Sequence, residues 1–226
     1  MSMFFNLPGC DILHSRDQTL DFEIKSENLY EMFKNRRSTL MILPSISRVV
    51  LKTAQNIEGC WVAGGAALGL FTGDVNKIKD WDLFFQSSSR LNYAKEVFEN
   101  LGFVKSTSSE WSITLSKAGV DVQLITRHYY SRFEDIFKKF DFVVCCFAIV
   151  GNDICYYKQA KKDVENGQLN FIYTENLATC VKRIARYGSK GYIPSDAFVE
   201  SIAKVFQRTK LSDIKKMRKK GSPEES

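Results

Sequence analysis

At 226 residues, 44% of them apolar and 17 of them phenylalanine, the chain can bury a full core and is not a disordered sequence. No apolar run is long enough to cross a bilayer, and the N-terminus lacks the basic start and long apolar middle of a secretion signal, which argues against a membrane partner and for the cytoplasm. The net charge of +6 is uneven: Ser201 to Lys220 carries eight basic residues and one acid, so a polyanion is expected at the C-terminal end and not at the core, unless the stretch is a solvated helix with a frayed tail.

Residues 1 to about 25 read as irregular, with Pro8-Gly9 as a turn signal. Ser26 to Phe33 has helical apolar spacing, and a second helix starts at Pro44 and runs through Val49, Val50, Leu51 and Ala54 to Ile57. Gly59 ends it, and Cys60–Ala63 is a short buried strand. The pair Gly64-Gly65 precedes an apolar helix from Ala66 to about Phe71, a loop with Gly73, and an acidic strand within Ile78–Phe85. Leu91 to Leu101 is helical and closed by Gly102. Strands follow at Phe103–Thr107, Trp111–Ser116 and Gly119–Thr126, the last two joined by a tight hairpin at Lys117-Ala118-Gly119. Ser131–Phe140 reads as a helix, Phe142–Val150 as a buried strand, and Ile154–Lys158 as another strand after the turn Gly151-Asn152-Asp153. A short helix near Lys161 and a strand at Leu169–Tyr173 come next. Helices are then expected at about Glu175–Tyr187, Ser195–Phe206 and Leu211–Lys220. The pattern predicts an α+β fold: a mixed β-sheet core with flanking helices over residues 1–173, then a helical region with the basic tail over 174–226.

The six cysteines have no CxxC spacing, and Cys145-Cys146 lie inside an apolar run, so they read as reduced thiols of an intracellular protein. With only His14 and His128 and no Cys pair, a structural zinc site is not expected.

The chemistry concentrates in Ile78-Lys-Asp-Trp-Asp-Leu-Phe-Phe85. Alternate side chains leave opposite faces of a strand, so Asp80 and Asp82 share one face and Trp81 takes the other. Two carboxylates so placed repel unless a cation relieves them, and an all-oxygen donor set suits Mg²⁺ together with substrate phosphates. In Val120–Thr126 the same alternation puts Asp121 and Gln123 on one face and Val120, Val122 and Leu124 on the other. If that strand lies beside the Asp80 strand, three carboxylates meet, enough to bridge two Mg²⁺ ions for in-line phosphoryl displacement, with Asp121 on the acceptor side also able to take the proton. Gly64-Gly65 lets backbone N–H groups approach phosphate oxygens at a helix N-terminus, but no GKS or GKT follows, which excludes a Walker-type ATPase. Arg183, Arg186 and Lys190 share a helix face that grips a triphosphate or an acceptor strand, or is simply solvated. Asp141, between two phenylalanines, reads as a structural cap or an arginine partner; Tyr129-Tyr130 and Tyr156-Tyr157 read as packing residues before base-stacking ones.

Gly64-Gly65, then Asp80-x-Asp82 after a short helix, then a lone Asp121 on a later strand, resembles the DNA polymerase β-like nucleotidyltransferase superfamily over roughly Cys60 to Thr126. Phe140-Asp141-Phe142 and Arg186–Tyr192 look similar to segments of small phage- and virus-encoded members. The resemblance implies that Gly64 and Gly65 hold the triphosphate of an NTP such as ATP, and that Asp80, Asp82 and Asp121 hold two Mg²⁺ ions, with Mn²⁺ as an alternative. It implies transfer of a nucleoside monophosphate to a hydroxyl with release of pyrophosphate. The basic C-terminal region favours a tRNA-like RNA 3′ end as acceptor; a protein, a small molecule, another nucleotide, or a fold that binds RNA or protein without turnover are the alternatives. CCA-adding enzymes usually follow the glycine pair with an arginine and an aspartate, where this chain has Ala66-Ala67-Leu68.

Overall fold

Eight strands make one mixed sheet in the computed structural model, which describes residues 13–14, 20–35, 43–78, 80–174 and 177–208. In chain order the strands are β1 (Ile24–Asn28), β2 (Cys60–Ala63), β3 (Asp80–Phe85), β4 (Val104–Ser108), β5 (Ser112–Lys117), β6 (Val120–Ile125), β7 (Phe147–Val150) and β8 (Asp153–Tyr157). The helices are α1 (Leu29–Asn35), α2 (Ser45–Gln55), α3 (Gly65–Thr72), α4 (Ser88–Asn100), α5 (Glu134–Phe137), α6 (Lys158–Asn166), α7 (Leu177–Gly188) and α8 (Asp196–Arg208). The sheet order is β1-β8-β7-β2-β3-β6-β5-β4, and only β3 and β6 pair in parallel. No helix among the described residues is long and apolar enough to cross a membrane.

The two faces of the sheet differ at the β3–β6–β5 end. Trp81, Leu83, Phe85, Leu115, Val122 and Leu124 are fully buried, whereas Asp80, Asp82, Thr114, Ser116, Asp121 and Gln123 are only partly covered. A period-2 sequence with one apolar and one polar set of side chains buries one face and leaves the other accessible. One hydrophobic cluster runs through the molecule and takes in Cys180 of α7 and Phe198 of α8. Phe198 stacks on Phe171 at 5.0 Å between ring centres and meets Phe142 at 5.7 Å.

Most elements fall where the sequence places them, including β2, α3 and the turn at Ala118-Gly119, where both residues have positive φ. Four do not. Ser26-Glu27-Asn28 is edge strand, paired with β8, and the helix starts only at Leu29 because the Asn28 side chain accepts the Tyr30 and Glu31 N–H groups. Ser131–Phe140 is helical only over Glu134–Phe137. Phe142–Val150 is strand only from Phe147: Phe142 bridges Phe171, Val143 donates to the Asn170 carbonyl, and Val143–Cys145 forms a 3₁₀ turn. Leu169–Tyr173 is not one strand; Gln168–Leu169 pairs with Ile193–Pro194, and Tyr173–Thr174 with Leu13–His14. The helix expected at Leu211–Lys220, and with it most of the basic stretch, lies outside the described residues. Cys60, Cys145, Cys146, Cys155 and Cys180 are free thiols.

Candidate active site

The parallel register sets Asp80 directly opposite Asp121 and Asp82 opposite Gln123. Directly opposed residues of adjacent strands leave the sheet on the same face, so the three aspartates stand on the open face with Trp81 buried beneath. The antiparallel β2–β3 pairing puts Ala63 opposite Asp82, which delivers the chain into the glycine pair beside the acids. Gly64 has φ +72° and ψ −133°, a conformation that side chains avoid, and donates its N–H to the Phe147 carbonyl at 3.0 Å. A Cβ there would lie 3.6 Å from the Phe140 ring and 3.9 Å from Asp82 Oδ2, whereas one on Gly65, the first residue of α3, would meet open space. The glycine turn thus borders the Asp82 carboxyl closely and leads directly into the N-terminus of α3.

Burial raises the Asp82 carboxyl to about 6, the neighbouring Asp80 charge pushes the same way, and Arg183 and Arg186 oppose both. Asp121 behaves differently. Its Oδ1 accepts from Ser116 Oγ at 2.5 Å, and Ser116 Oγ lies 2.9 Å from Ser106 Oγ. Ser116 sits on β5, on the side of β6 away from β3, so this short bond ties the Asp121 carboxyl to the strand on the far side from Asp80. Accordingly no three His, Cys, Asp or Glu side chains among the described residues stand close enough to hold a metal ion as the structure is. The strands expected to carry the three carboxylates are neighbours, with Asp80 opposite Asp121, but the side chains do not form a closed set. The donor chemistry still fits a hard dication: the groups are carboxylates, and two of them stand two residues apart on one face of β3.

The positive charge comes from α7. Arg183 and Arg186 are three apart on that helix and act on Asp82. Arg183 also donates to Asp141 Oδ2 at 2.6 Å, which makes Asp141 the arginine partner its setting suggested. Lys190 follows α7 and lies over the Tyr187 ring at 5.0 Å. Tyr130, Tyr156 and Tyr157 are buried packing residues, which removes them as base-stacking platforms; Tyr129 is exposed. Two contributors escape sequence reasoning. Ser116 was legible in principle, because a two-residue hairpin at Ala118-Gly119 fixes Ser116 opposite Asp121. Phe140, which walls the glycine turn, sends no such signal.

The model of the Gabija anti-defense 2 family matches residues 25–167, the sheet and its helices up to α6. This chain belongs to the Gabija anti-defense 2 family. Its fold is similar to that of a Thermotoga maritima CCA-adding enzyme complexed with tRNA, with a TM-score of 0.61 at 15% identity over 81% of this chain and 47% of that one. It is also similar to a CCA-adding enzyme with CTP, with a TM-score of 0.61 at 13% identity over 81% of this chain and 45% of that one. A third likeness is to a CCA-adding enzyme with ATP, with a TM-score of 0.59 at 15% identity over 81% and 48% of the two chains. The chain spans about half the length of these enzymes. At this identity the likeness establishes the fold alone. No curated protein matches in sequence.

Proposed function

We propose that this Gabija anti-defense 2 family member, of a small phage or virus type, is a nucleotidyltransferase that moves a nucleoside monophosphate from an NTP to a hydroxyl and releases pyrophosphate. The observation that carries the reading is the parallel register of β3 and β6, which lines up Asp80, Asp82 and Asp121 on one open face beside Gly64-Gly65. In this reading the glycine turn and the α3 N-terminus receive the triphosphate, and Arg183, Arg186 and Lys190 approach it from the other side. Asp80 and Asp82, joined by Asp121, would hold Mg²⁺, or Mn²⁺ in its place. When bound, the ion offsets the triphosphate charge and makes an acceptor hydroxyl more acidic. In this reading Asp121, on the acceptor side, takes the proton of that hydroxyl.

The acceptor we favour is an RNA 3′ end, with the basic residues between Ser201 and Lys220 as its electrostatic grip; a CCA-adding enzyme of this fold is seen with tRNA. The test is to incubate the chain with each α-labelled NTP and Mg²⁺, with RNA, with protein and with no acceptor. Label on RNA supports the reading, label on protein or in a dinucleotide corrects the acceptor, and unchanged NTP in every arm contradicts it.

One observation favours a second reading. The carboxylates do not form a closed set, because Ser116 holds Asp121 aside, and the family is named for countering Gabija defence. In that reading the fold is a binding module that engages a defence component, with nucleotide bound and not turned over. Nucleotide binding without pyrophosphate release, across all four NTPs and mixed RNA, would support it.

A further inference from the structure

Arg183 and Arg186 stand on α7, which is not part of the sheet, and Arg183 bonds Asp141, the residue after the Phe140 that walls Gly64 beside Asp82, so the position of α7 decides whether these arginines face the acids. Besides the packing of Cys180 in the core, several contacts set that position: Cys145 Sγ lies 2.9 Å from Tyr187 Oη, the Phe142 and Tyr187 rings meet edge to face at 5.4 Å, and Arg183 bonds Asp141. The last fixes a cationic group.

Asp141 is well placed for this. Its carbonyl accepts the Ile172 N–H at 2.8 Å, and its neighbour Phe142 is fully buried. Its other neighbour, Phe140, packs on Phe84 of β3 and walls Gly64. The residue is 8% exposed, while the Arg183 side chain that meets it is 53% exposed. A rigid, buried carboxylate therefore holds one nitrogen of a half-exposed guanidinium. A guanidinium carries its five donors in a fixed plane, so fixing one nitrogen orients the others. Ion pairs of this kind add little net stability compared with apolar packing, which leaves orientation as the better reason for one here.

We propose that Asp141 is a positioning residue: it holds Arg183 toward the Asp80–Asp82 pair, so that the polyphosphate of a nucleotide is gripped between the Gly64-Gly65 turn and α7. The inference rests on the nucleotide reading given above and adds to it how α7 is brought into play. The ligand class is a nucleoside triphosphate, and the product pyrophosphate binds by the same groups.

The test is calorimetric titration of ATP and of inorganic pyrophosphate, with Mg²⁺ present, into the wild-type chain, Asp141→Asn, Arg183→Ala, the double variant and Asp141→Glu, with thermal melting of each. Asp141→Asn and Arg183→Ala should each weaken both ligands about tenfold or more, the scale of a lost charge-assisted hydrogen bond. The double variant should bind no more weakly than Arg183→Ala alone, and Asp141→Glu should recover part of the loss. Losses that add in the double variant, or an Asp141→Asn chain that melts lower yet binds as the wild type does, would overturn the positioning role and leave the nucleotide reading standing. If Asp141→Asn does not fold, Arg183→Lys decides: it keeps the charge and loses the planar fork, so weakened binding supports the proposal and wild-type binding overturns it. A wild-type chain that binds neither ligand removes both readings together.

Discussion

Asp82 has a folded-state pKa of about 6 against an ordinary 3.8, so between those values the folded chain holds a proton that the unfolded chain has lost. The sign follows from linkage: the stability is fully present below about pH 4 and is lost as the pH rises through 6. At pH 7 and without added divalent cation, Asp82→Asn should therefore stabilise the chain by on the order of 2 kcal/mol. The difference should vanish near pH 4, as urea unfolding across that range will show; a variant less stable at pH 7 would refute the strained carboxyl pair. Gly64 and Gly65 make a second contrast. At Gly64→Ala the positive φ should cost about 1–3 kcal/mol and disturb the glycine turn, whereas Gly65→Ala, at the open first position of a helix, should be neutral or slightly stabilising. Equal melting temperatures for the two variants would remove the conformational argument. Much at this scale was legible in the sequence: alternation alone separates Asp80 and Asp82 from Trp81. The direction in which the Asp121 carboxylate turns was not, because it depends on a hydroxyl two strands away from Asp80.

β3 carries the site because it carries the core. Trp81 is fully buried between the two acids in sequence, and its Nε1 is buried with no hydrogen-bond partner. Trp81→Phe removes that unsatisfied donor as it removes volume, so it should cost less than about 1.5 kcal/mol, while Trp81→Ala should cost about 3–5 kcal/mol. Chemical unfolding of both distinguishes them, and equal losses would mean that the indole donor is satisfied in solution. Elements bounded by glycine were read closely, as with β2 and α3. Phe142–Val150 was not: an apolar run looks the same whether it is strand or buried turn, and only the Phe142–Phe171 bridge and the Asn170 carbonyl, more than twenty residues along the chain, decide the matter.

At the scale of the whole molecule, a family named for countering Gabija defence is built on a fold similar to that of CCA-adding enzymes, with an arginine of α7 bonded to a buried aspartate. If RNA is the acceptor, its binding should fall steeply with added salt while ATP binding, which engages fewer phosphates, falls less; equal salt dependence would place the RNA elsewhere or nowhere. The fold class was legible from the order of elements, and the family was not, because nothing in the residues around Asp80 specifies a defence system. The most direct measurement is label transfer from α-labelled NTP by the wild-type chain and by Asp82→Asn, both checked for folding at pH 7. Transfer by the wild type, and at most a trace by a variant that melts at the same or a higher temperature, is the expected result. Equal transfer by both, or none by the wild type with any acceptor, would contradict a catalytic role for the aspartates on β3.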